Sequence, residues 1–239
     1  MPKGYRRGYA VAVLIGLESD HAALWQIFSQ VAKHQQQIAL NGSRNDSRAV
    51  YSFHESIVNA LRPALREGVK SIVVASPAKT SWAQDFLSHL KSHHNWLFQG
   101  ANKAVFSTIA SGASSHSEVS ALTKTEAFKT IISEATSQET ENLVEILEKR
   151  LNSTDNLVAF SLEEAESLIY CPQLVGKPSP EYLLLTDDYL AKSRRKNSVH
   201  RLMQIAKNKG VKTRVIAGNS AAGKRLAQFG GLVCLLRLG

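Results

Sequence analysis

Short apolar runs alternate with helix-spaced apolar positions along the first half of the chain. Residues 9–17 are apolar without alternation, which predicts a strand buried on both faces. A second run at 22–31 follows the turn-like segment Glu18-Ser19-Asp20, so the two runs predict a β-hairpin, although the second could instead be helical. The elements predicted next are a candidate third strand at 36–40, a polar loop at 41–48, a helix at 50–67, a strand at 71–75, a helix at 81–92, a strand at 104–109, a polar loop at 110–117 and a helix at 125–151.

The second half begins after a polar, turn-forming linker at 152–156, so the sequence predicts two domains, residues 1–154 and 155–239. The interruption of the apolar stripe at Ser137-Gln138 indicates a break in the preceding helix. The later elements predict a compact α/β/α layer. They are a helix opened by a capping box at 161–164, a strand at 182–186, a helix at 199–208, a strand within 211–219, a short helix before Gly230-Gly231 and a buried strand at 232–236.

Composition favours a protein with packed cores, since 44% of the 239 residues are hydrophobic and 21% are charged. No apolar run approaches the length of a membrane span, and the run after the basic N-terminus lacks a small-residue cleavage site. The two cysteines, Cys171 and Cys234, show neither metal spacing nor a disulfide framework. We therefore expect a cytoplasmic protein that does not interact with a membrane.

The net charge of +9 is clustered rather than spread evenly. Such clusters favour binding to a polyanion, because lysine and arginine release counterions from phosphate chains. The alternative is a basic surface without function. The clusters are Lys3-Arg6-Arg7, Arg44-Arg48, Lys192-Arg194-Arg195-Lys196, Lys207-Lys209-Lys212-Arg214 and Lys224-Arg225.

Several segments, taken in order, resemble the Pelota and class-1 translation release factor superfamily, and Pelota more closely within it. In the second domain the resemblance rests on 182–188, on 215–223 and on 226–237, where a glycine precedes an apolar strand closed by Leu236-Arg237. In the first domain it rests on 73–77, which ends in Ser76-Pro77, on 110–112 and on the helix around 133–141.

The resemblance implies an α/β chain with a ribonuclease-H-like central domain, followed by an α/β/α domain like the ribosomal proteins that bind kink-turn RNA. It implies binding to the ribosome or structured RNA in translation quality control or ribosome rescue. The implied partners are an elongation-factor-like GTPase, whose contact would include Ser76 and Pro77, and an ABC-type ATPase.

The sequence departs from the family pattern in three ways, which limit what the resemblance implies for this chain. The sequence starts at the central domain, so the resemblance does not support stop-codon reading or probing of the mRNA channel. The loop at 41–48 lacks the Gly-Gly-Gln of release factors, which excludes peptide release by that mechanism. Ala78-Lys79 stand where Pelota has Gly-Phe after Ser-Pro, which weakens the case for the GTPase contact.

The RNA-binding candidates are basic side chains that would hold phosphate without reading sequence. Lys224 and Arg225 are expected at a helix start, where backbone N–H groups favour anions, and Asn219 would lie in an RNA-facing loop of a kink-turn-like domain. The full set is Arg44, Arg48, Arg194, Arg195, Lys196, Asn219, Lys224 and Arg225. For each residue alone, a solvated surface charge is the competing interpretation.

No motif predicts catalytic residues, a metal site or a cofactor. His89, His93 and His94 are interpreted as a solvated helix end rather than a metal site, and Asp187-Asp188 as a turn or helix cap. A two-metal nuclease needs carboxylates that converge from several strands, and the first domain's predicted strands carry none. A stand-alone metal-dependent nuclease acting on structured nucleic acid stays the alternative function. An adaptor for a GTPase or ATPase is a third.

Overall fold

The computed structural model describes residues 8–100, 103–171 and 177–238. The chain forms two compact units, residues 1–65 with 69–139 (unit 1) and residues 66–68 with 140–239 (unit 2). The chain therefore passes from unit 1 to unit 2 at 139/140, inside a helix, whereas the linker at 152–156 predicts a domain boundary at 154/155. That domain boundary stays a prediction.

Unit 1 contains a five-stranded mixed sheet in the order β3-β2-β1-β4-β5. The first three strands form an antiparallel meander, which confirms the predicted hairpin, and β1, β4 and β5 are parallel. The strands are β1 Ala10–Leu17, β2 His21–Phe28, β3 Ala32–Ala39, β4 Ser71–Ser76 and β5 Val105–Ala110.

Helices cover both faces of this sheet because its inner strands are apolar at nearly every position. On β1, Val13 and Ile15 face one core, while Ala12 and Leu14 face the other. The first core lies under α1 Ser47–Arg66 and α2 Trp82–His93, and the second under α3 His116–Leu122 and the start of α4 Glu126–Leu151.

Helix α4 is continuous, so the break predicted at Ser137-Gln138 is wrong. The apolar stripe is interrupted because the helix changes the sheet that it covers. Phe128 packs in unit 1, whereas Leu143 and Leu147 pack against the sheet of unit 2. At the changeover the buried carboxylate of Glu139 accepts a hydrogen bond from the Ser71 hydroxyl, which makes a polar position compatible with burial.

Unit 2 contains a four-stranded mixed sheet in the order β6-β9-β7-β8. Strands β7 and β8 are parallel, and β9 is antiparallel to both of its neighbours. The elements are β6 Val158–Ala159, α5 Leu162–Tyr170, β7 Ser179–Thr186, α6 Asp187–Lys192, α7 Lys196–Asn208, β8 Lys212–Ile216, α8 Ala221–Ala227 and β9 Leu232–Arg237.

The sheet of unit 2 is also covered on both faces, as the apolar run 232–236 predicts. Leu183 and Cys234 pack with α5 and α7, whereas Leu184 and Val233 pack with α8 and the end of α4. This is the α/β/α layer expected from the sequence. Helix α5 begins with the predicted capping box of Ser161 and Glu164.

Candidate nucleic-acid interface

The candidate interface in unit 2 lies where the parallel strands β7 and β8 end. Because β7 and β8 share a direction, the segments that follow them meet at one edge of the sheet, and β9, which is antiparallel, begins there. We call this surface the unit-2 edge. It comprises the 187–196 segment, the 217–220 loop, α8 and the Gly230-Gly231 turn.

Three of the predicted RNA-binding residues follow α6 at this edge. Arg194 and Lys196 are exposed to solvent. The Arg195 guanidinium pairs instead with two carboxylates of α5, Glu163 and Glu166. Arg195 is thus held in one orientation and partly neutralised, while its two neighbours carry the positive charge that faces water.

The 217–220 loop presents Asn219 at the same edge. Asn219 is exposed, and the Gly218 N–H donates a 2.7 Å hydrogen bond to Asp187 Oδ1, which joins this loop to the start of α6. A Cβ on Gly223 would lie 2.0 Å from the Ala217 carbonyl oxygen, so α8 can start this close to the loop only with glycine there. The loop is therefore built to a fixed shape.

Lys224 and Arg225 lie in the last turn of α8, so the expectation that they stand at a helix start is wrong. Helix α8 begins earlier, at Ala221, because the Ser220 hydroxyl accepts a 3.0 Å hydrogen bond from the Gly223 N–H and caps it. Lys224 is exposed. Arg225 donates a 2.6 Å hydrogen bond to Glu148 and stacks on Phe229, so it mainly fastens α8 to α4.

The Gly230-Gly231 turn closes the edge, as the sequence predicts. Both glycines have positive φ, 90° and 82°, and the Gly231 N–H donates to the Leu226 carbonyl in a helix-ending hydrogen bond of 3.1 Å. A cavity of about 470 Å³ is lined by this turn and by Lys192 and Ser193.

In unit 1 the loop at 41–46 holds Arg44 in a mainly structural position. Its guanidinium donates to the backbone carbonyls of Glu18 and Ser19. It also lies over the rings of Phe53 and Trp82, at 4.9 and 4.7 Å, and burial lowers the pKa of Arg44. Arg48, in the first turn of α1, is exposed. The predicted basic cluster Lys3-Arg6-Arg7 lies outside the described residues.

The serine-rich loop at 110–115 is hydrogen-bonded to a carboxylate of the same chain, that of Glu118. The backbone N–H groups of Ser114 and Ser115 donate to the Glu118 carboxylate, at 2.8 and 3.0 Å, as does the Ser114 hydroxyl. These hydrogen bonds, that from the Ser114 side chain first, lower the pKa of Glu118. The donors that could cradle a phosphate here are therefore already engaged by a carboxylate.

The predicted GTPase contact combines a buried and a half-buried residue. Ser76 is the last residue of β4 and is buried, while Pro77 is half-buried. Pro77 opens a tight turn, because its carbonyl accepts a 2.8 Å hydrogen bond from the Thr80 hydroxyl. Lys79 in this turn has φ of 69°. Any partner that contacts this corner would touch Pro77 and the exposed Ala78-Lys79 pair rather than Ser76.

The histidines of α2 are not the solvated helix end that the sequence suggests. His89 and His94 are buried, and their Nε2 atoms lie 3.0 and 2.6 Å from the same carboxylate oxygen of Glu55 on α1. Burial opposes ionisation of Glu55, but the hydrogen bonds from His94 and His89 outweigh it and lower the pKa of Glu55. Only His93 is exposed, as expected. Periodicity could not reveal this cluster because its carboxylate comes from another helix.

Neighbouring His54 is buried on the other side of His89. Its ring centroid lies 5.0 Å from that of His89, and desolvation by burial, with a smaller effect of His89, lowers the pKa of His54 to about 4. His54 is therefore neutral at neutral pH.

The carboxylates considered for a nuclease are engaged in local structure. Asp46 Oδ1 accepts a 2.9 Å hydrogen bond from the Arg48 N–H at the start of α1. Asp187 Oδ1 accepts from the backbone of Asp188 and of Gly218. The interpretation of Asp187-Asp188 as a turn and helix start is confirmed. Among the described residues, the one group of three or more metal-ligating side chains is Glu55, His89 and His94.

Comparison with known proteins bears on both units. The family described as eRF1 domain 3 matches residues 136–238, and no curated protein matches the chain. In a structure described as a model of ribosome-bound archaeal Pelota and ABCE1, the matched chain is 18% identical, with a TM-score of 0.55, and the match covers 99% of this chain and 64% of that one.

A second structure has the same fold. It is S. cerevisiae Dom34, described as a translation termination-like factor involved in RNA quality control pathways and interacting with Hbs1. The match is 18% identical with a TM-score of 0.50 and covers 96% of this chain and 64% of that one. The chain thus spans less than two thirds of the length of these proteins. Residues 136–238 thus match the eRF1 domain 3 family, and the chain shares its fold over both units with Pelota and Dom34.

Proposed function

We propose that this protein binds ribosomal or other structured RNA through the unit-2 edge and acts in translation quality control without catalysing a reaction itself. The observation that supports this most is the exposed basic set Arg194, Lys196 and Lys224 beside the shaped loop that carries Asn219. This set lies on the fold of a Pelota described as ribosome-bound.

The exposed side chains of the unit-2 edge suit contacts with phosphate groups rather than with the bases of a nucleic acid. Lysine and arginine side chains on an exposed surface position a nucleic acid by its backbone and lose affinity as salt rises. The rigid 217–220 loop offers backbone and amide groups of fixed geometry, which suits recognition of RNA shape. Arg44, Arg225 and Arg195 would contribute less, since each is held by contacts with other residues of the chain.

The same proposal includes the fold types of the two units and the partner proteins. The order β3-β2-β1-β4-β5, with an antiparallel meander joined to parallel strands, fits a ribonuclease-H-like unit 1. Unit 2 would be the kink-turn-protein-like domain. Dom34 is described as interacting with Hbs1, and the ribosome-bound Pelota is described together with ABCE1. We therefore propose a GTPase or ABC-type ATPase partner for this chain, with Pro77 in the contact.

A ribosome-binding role would place the protein in the cytoplasm. No helix of the described residues is long and apolar enough to cross a membrane.

A metal-dependent nuclease has less support. Asp46 and Asp187, the carboxylates that it would use, accept hydrogen bonds from nearby backbone N–H groups. Metal-dependent cleavage of RNA that Asp46→Asn or Asp187→Asn abolished would nevertheless favour the nuclease.

Co-sedimentation with purified ribosomes over a range of salt concentrations tests the proposal. The test variant combines Arg194→Ala, Lys196→Ala and Lys224→Ala. Its control removes the same charge from exposed lysines of unit 1 by Lys33→Ala, Lys91→Ala and Lys103→Ala. We expect the test variant to bind at least ~10-fold more weakly near physiological salt and its salt slope to fall by roughly 2 to 3, while the control changes little. Equal weakening in both variants would mean that net charge alone drives binding. No binding of the wild-type protein, even at low salt, would overturn the proposal.

A further inference from the structure

Two helices of unit 1 bring three potential metal ligands together. Glu55 lies in α1, His89 in the last part of α2, and His94 immediately after α2. The ligand atoms of these three side chains all lie within 4.8 Å of one another. Both histidine Nε2 atoms point at one oxygen of Glu55, at 3.0 and 2.6 Å. The side chains therefore converge on a single point rather than forming a chain of pairs.

A second observation points to the same place. His54 Nε2 is buried and has no hydrogen-bond partner among the described residues. Its ring packs at 5.0 Å from that of His89, while the exposed Tyr51 packs edge-on against His89, also at 5.0 Å. Buried imidazole nitrogens are normally hydrogen-bonded. A third buried imidazole, with an unsatisfied nitrogen, therefore lies beside the cluster of Glu55, His89 and His94.

We propose that Glu55, His89 and His94 bind a divalent transition-metal ion, with Zn²⁺ as the best match. Two imidazole nitrogens and one carboxylate oxygen are typical zinc ligands, whereas Mg²⁺ and Ca²⁺ take oxygen ligands. Around tetrahedral zinc, with bonds of about 2.0–2.1 Å, ligand atoms lie roughly 3.3 Å apart. The observed separations of 2.6 and 3.0 Å widen to roughly 3.3 Å with small side-chain shifts.

The site is also accessible and suitably charged. The Glu55 side chain is 30% exposed, whereas those of His89 and His94 are 7% and 9% exposed, so an ion would enter past Glu55. Three protein ligands leave one tetrahedral position for water. The ion would connect α1 to the end of α2. This inference does not depend on RNA binding, since none of the three residues lies on the unit-2 edge.

Zinc binding by the metal-stripped, tag-free full chain tests the proposal. Competition with a chromophoric chelator measures affinity and stoichiometry, and Co²⁺ in place of Zn²⁺ reports coordination by its visible absorption. We expect about one equivalent per chain, intense four-coordinate cobalt bands and a rise in Tm with zinc. Glu55→Gln and His94→Gln should each weaken binding by at least ~100-fold.

His93→Gln is the matched control, because His93 is exposed and its ring lies 4.8 Å from that of His89. It should leave zinc affinity unchanged. An equal loss in His93→Gln, or unchanged affinity in folded Glu55→Gln and His94→Gln, would overturn the assignment. If circular dichroism shows that these variants do not fold, metal binding by the wild-type chain still tests the proposal. Absence of stoichiometric binding at micromolar zinc, or of four-coordinate cobalt bands, would show that the cluster is only a hydrogen-bonded link between helices.

Discussion

The Gly230-Gly231 turn allows a matched pair of substitutions in adjacent residues. Both residues have positive φ, 90° and 82°, so alanine at either position is strained. Their surroundings differ. A Cβ on Gly230 would meet one atom at 4.0 Å, whereas a Cβ on Gly231 would lie 3.0 Å from Thr186 Oγ1 and 3.2 Å from Tyr189 Cβ. The pair therefore separates backbone strain from crowding.

The magnitudes follow from these two contributions. Left-handed backbone costs alanine ~1–2 kcal/mol, and the lower entropy of the unfolded alanine chain offsets ~0.4–1 kcal/mol of this. Gly230→Ala should thus lower the free energy of unfolding by about 0.5–1 kcal/mol. Gly231→Ala adds about 1–3 kcal/mol for crowding against Thr186 and α6, which gives a total of roughly 1.5–4 kcal/mol.

Urea unfolding followed by far-ultraviolet circular dichroism measures both losses. Hydrogen exchange of the β9 amides shows whether the loss arises in unit 2. Gly230→Asn provides a control, because asparagine tolerates positive φ better than alanine does and should cost less. If Gly230→Ala were as costly as Gly231→Ala, crowding by Thr186 and Tyr189 would not be the cause, and the described turn would be refuted.

Two further predictions concern unit 1. Gly16→Ala should destabilise by about 2–4 kcal/mol in calorimetry, because its Cβ would lie 2.2 Å from the Ala113 carbonyl oxygen; a Tm close to that of the wild type would contradict this packing. The pKa of Glu118 is lowered from 4.5, so its stabilising effect is present above that pH and is lost as the pH falls through the lowered pKa. Glu118→Gln should therefore be less stable by about 1 kcal/mol at neutral pH, and in urea titrations its difference from the wild type should shrink as the pH falls through the lowered pKa of Glu118; a gap that persisted in acid would contradict the role of the carboxylate.

The strands and helices that are predictable from the sequence are those with strong apolar patterns. Residues 9–17 and 232–236 are buried strands because both faces of each sheet carry helices. Strand β3 is predictable only in part, since it lies at the sheet edge and exposes Lys33 and Gln35–Gln37. The apolar pattern predicts a loop where helix α3 begins. The start of this helix is missed because only three of its seven residues are apolar and a serine caps it.

The candidate site is less predictable, because side-chain engagement depends on tertiary contacts. Charge clustering identifies Arg194 and Lys196 as exposed, but gives no sign that Arg195 pairs with Glu163 or that Arg225 pairs with Glu148. The histidine cluster escapes sequence reasoning for the same reason. Its carboxylate, Glu55, is 34 residues from His89 in sequence, and only the packing of α1 on α2 brings them together.

Crosslinking with ultraviolet light, followed by mass spectrometry of the RNA-modified peptides, tests the central claim most directly. The wild-type chain is bound to purified ribosomes, irradiated and digested. We expect crosslinks in peptides that contain residues 192–196 and 217–224. We also expect their loss in the Arg194→Ala, Lys196→Ala and Lys224→Ala combination but not in the unit 1 control. Crosslinks confined to unit 1, or ribosome binding without any RNA crosslink to unit 2, would contradict the assignment of the unit-2 edge as the RNA-binding surface.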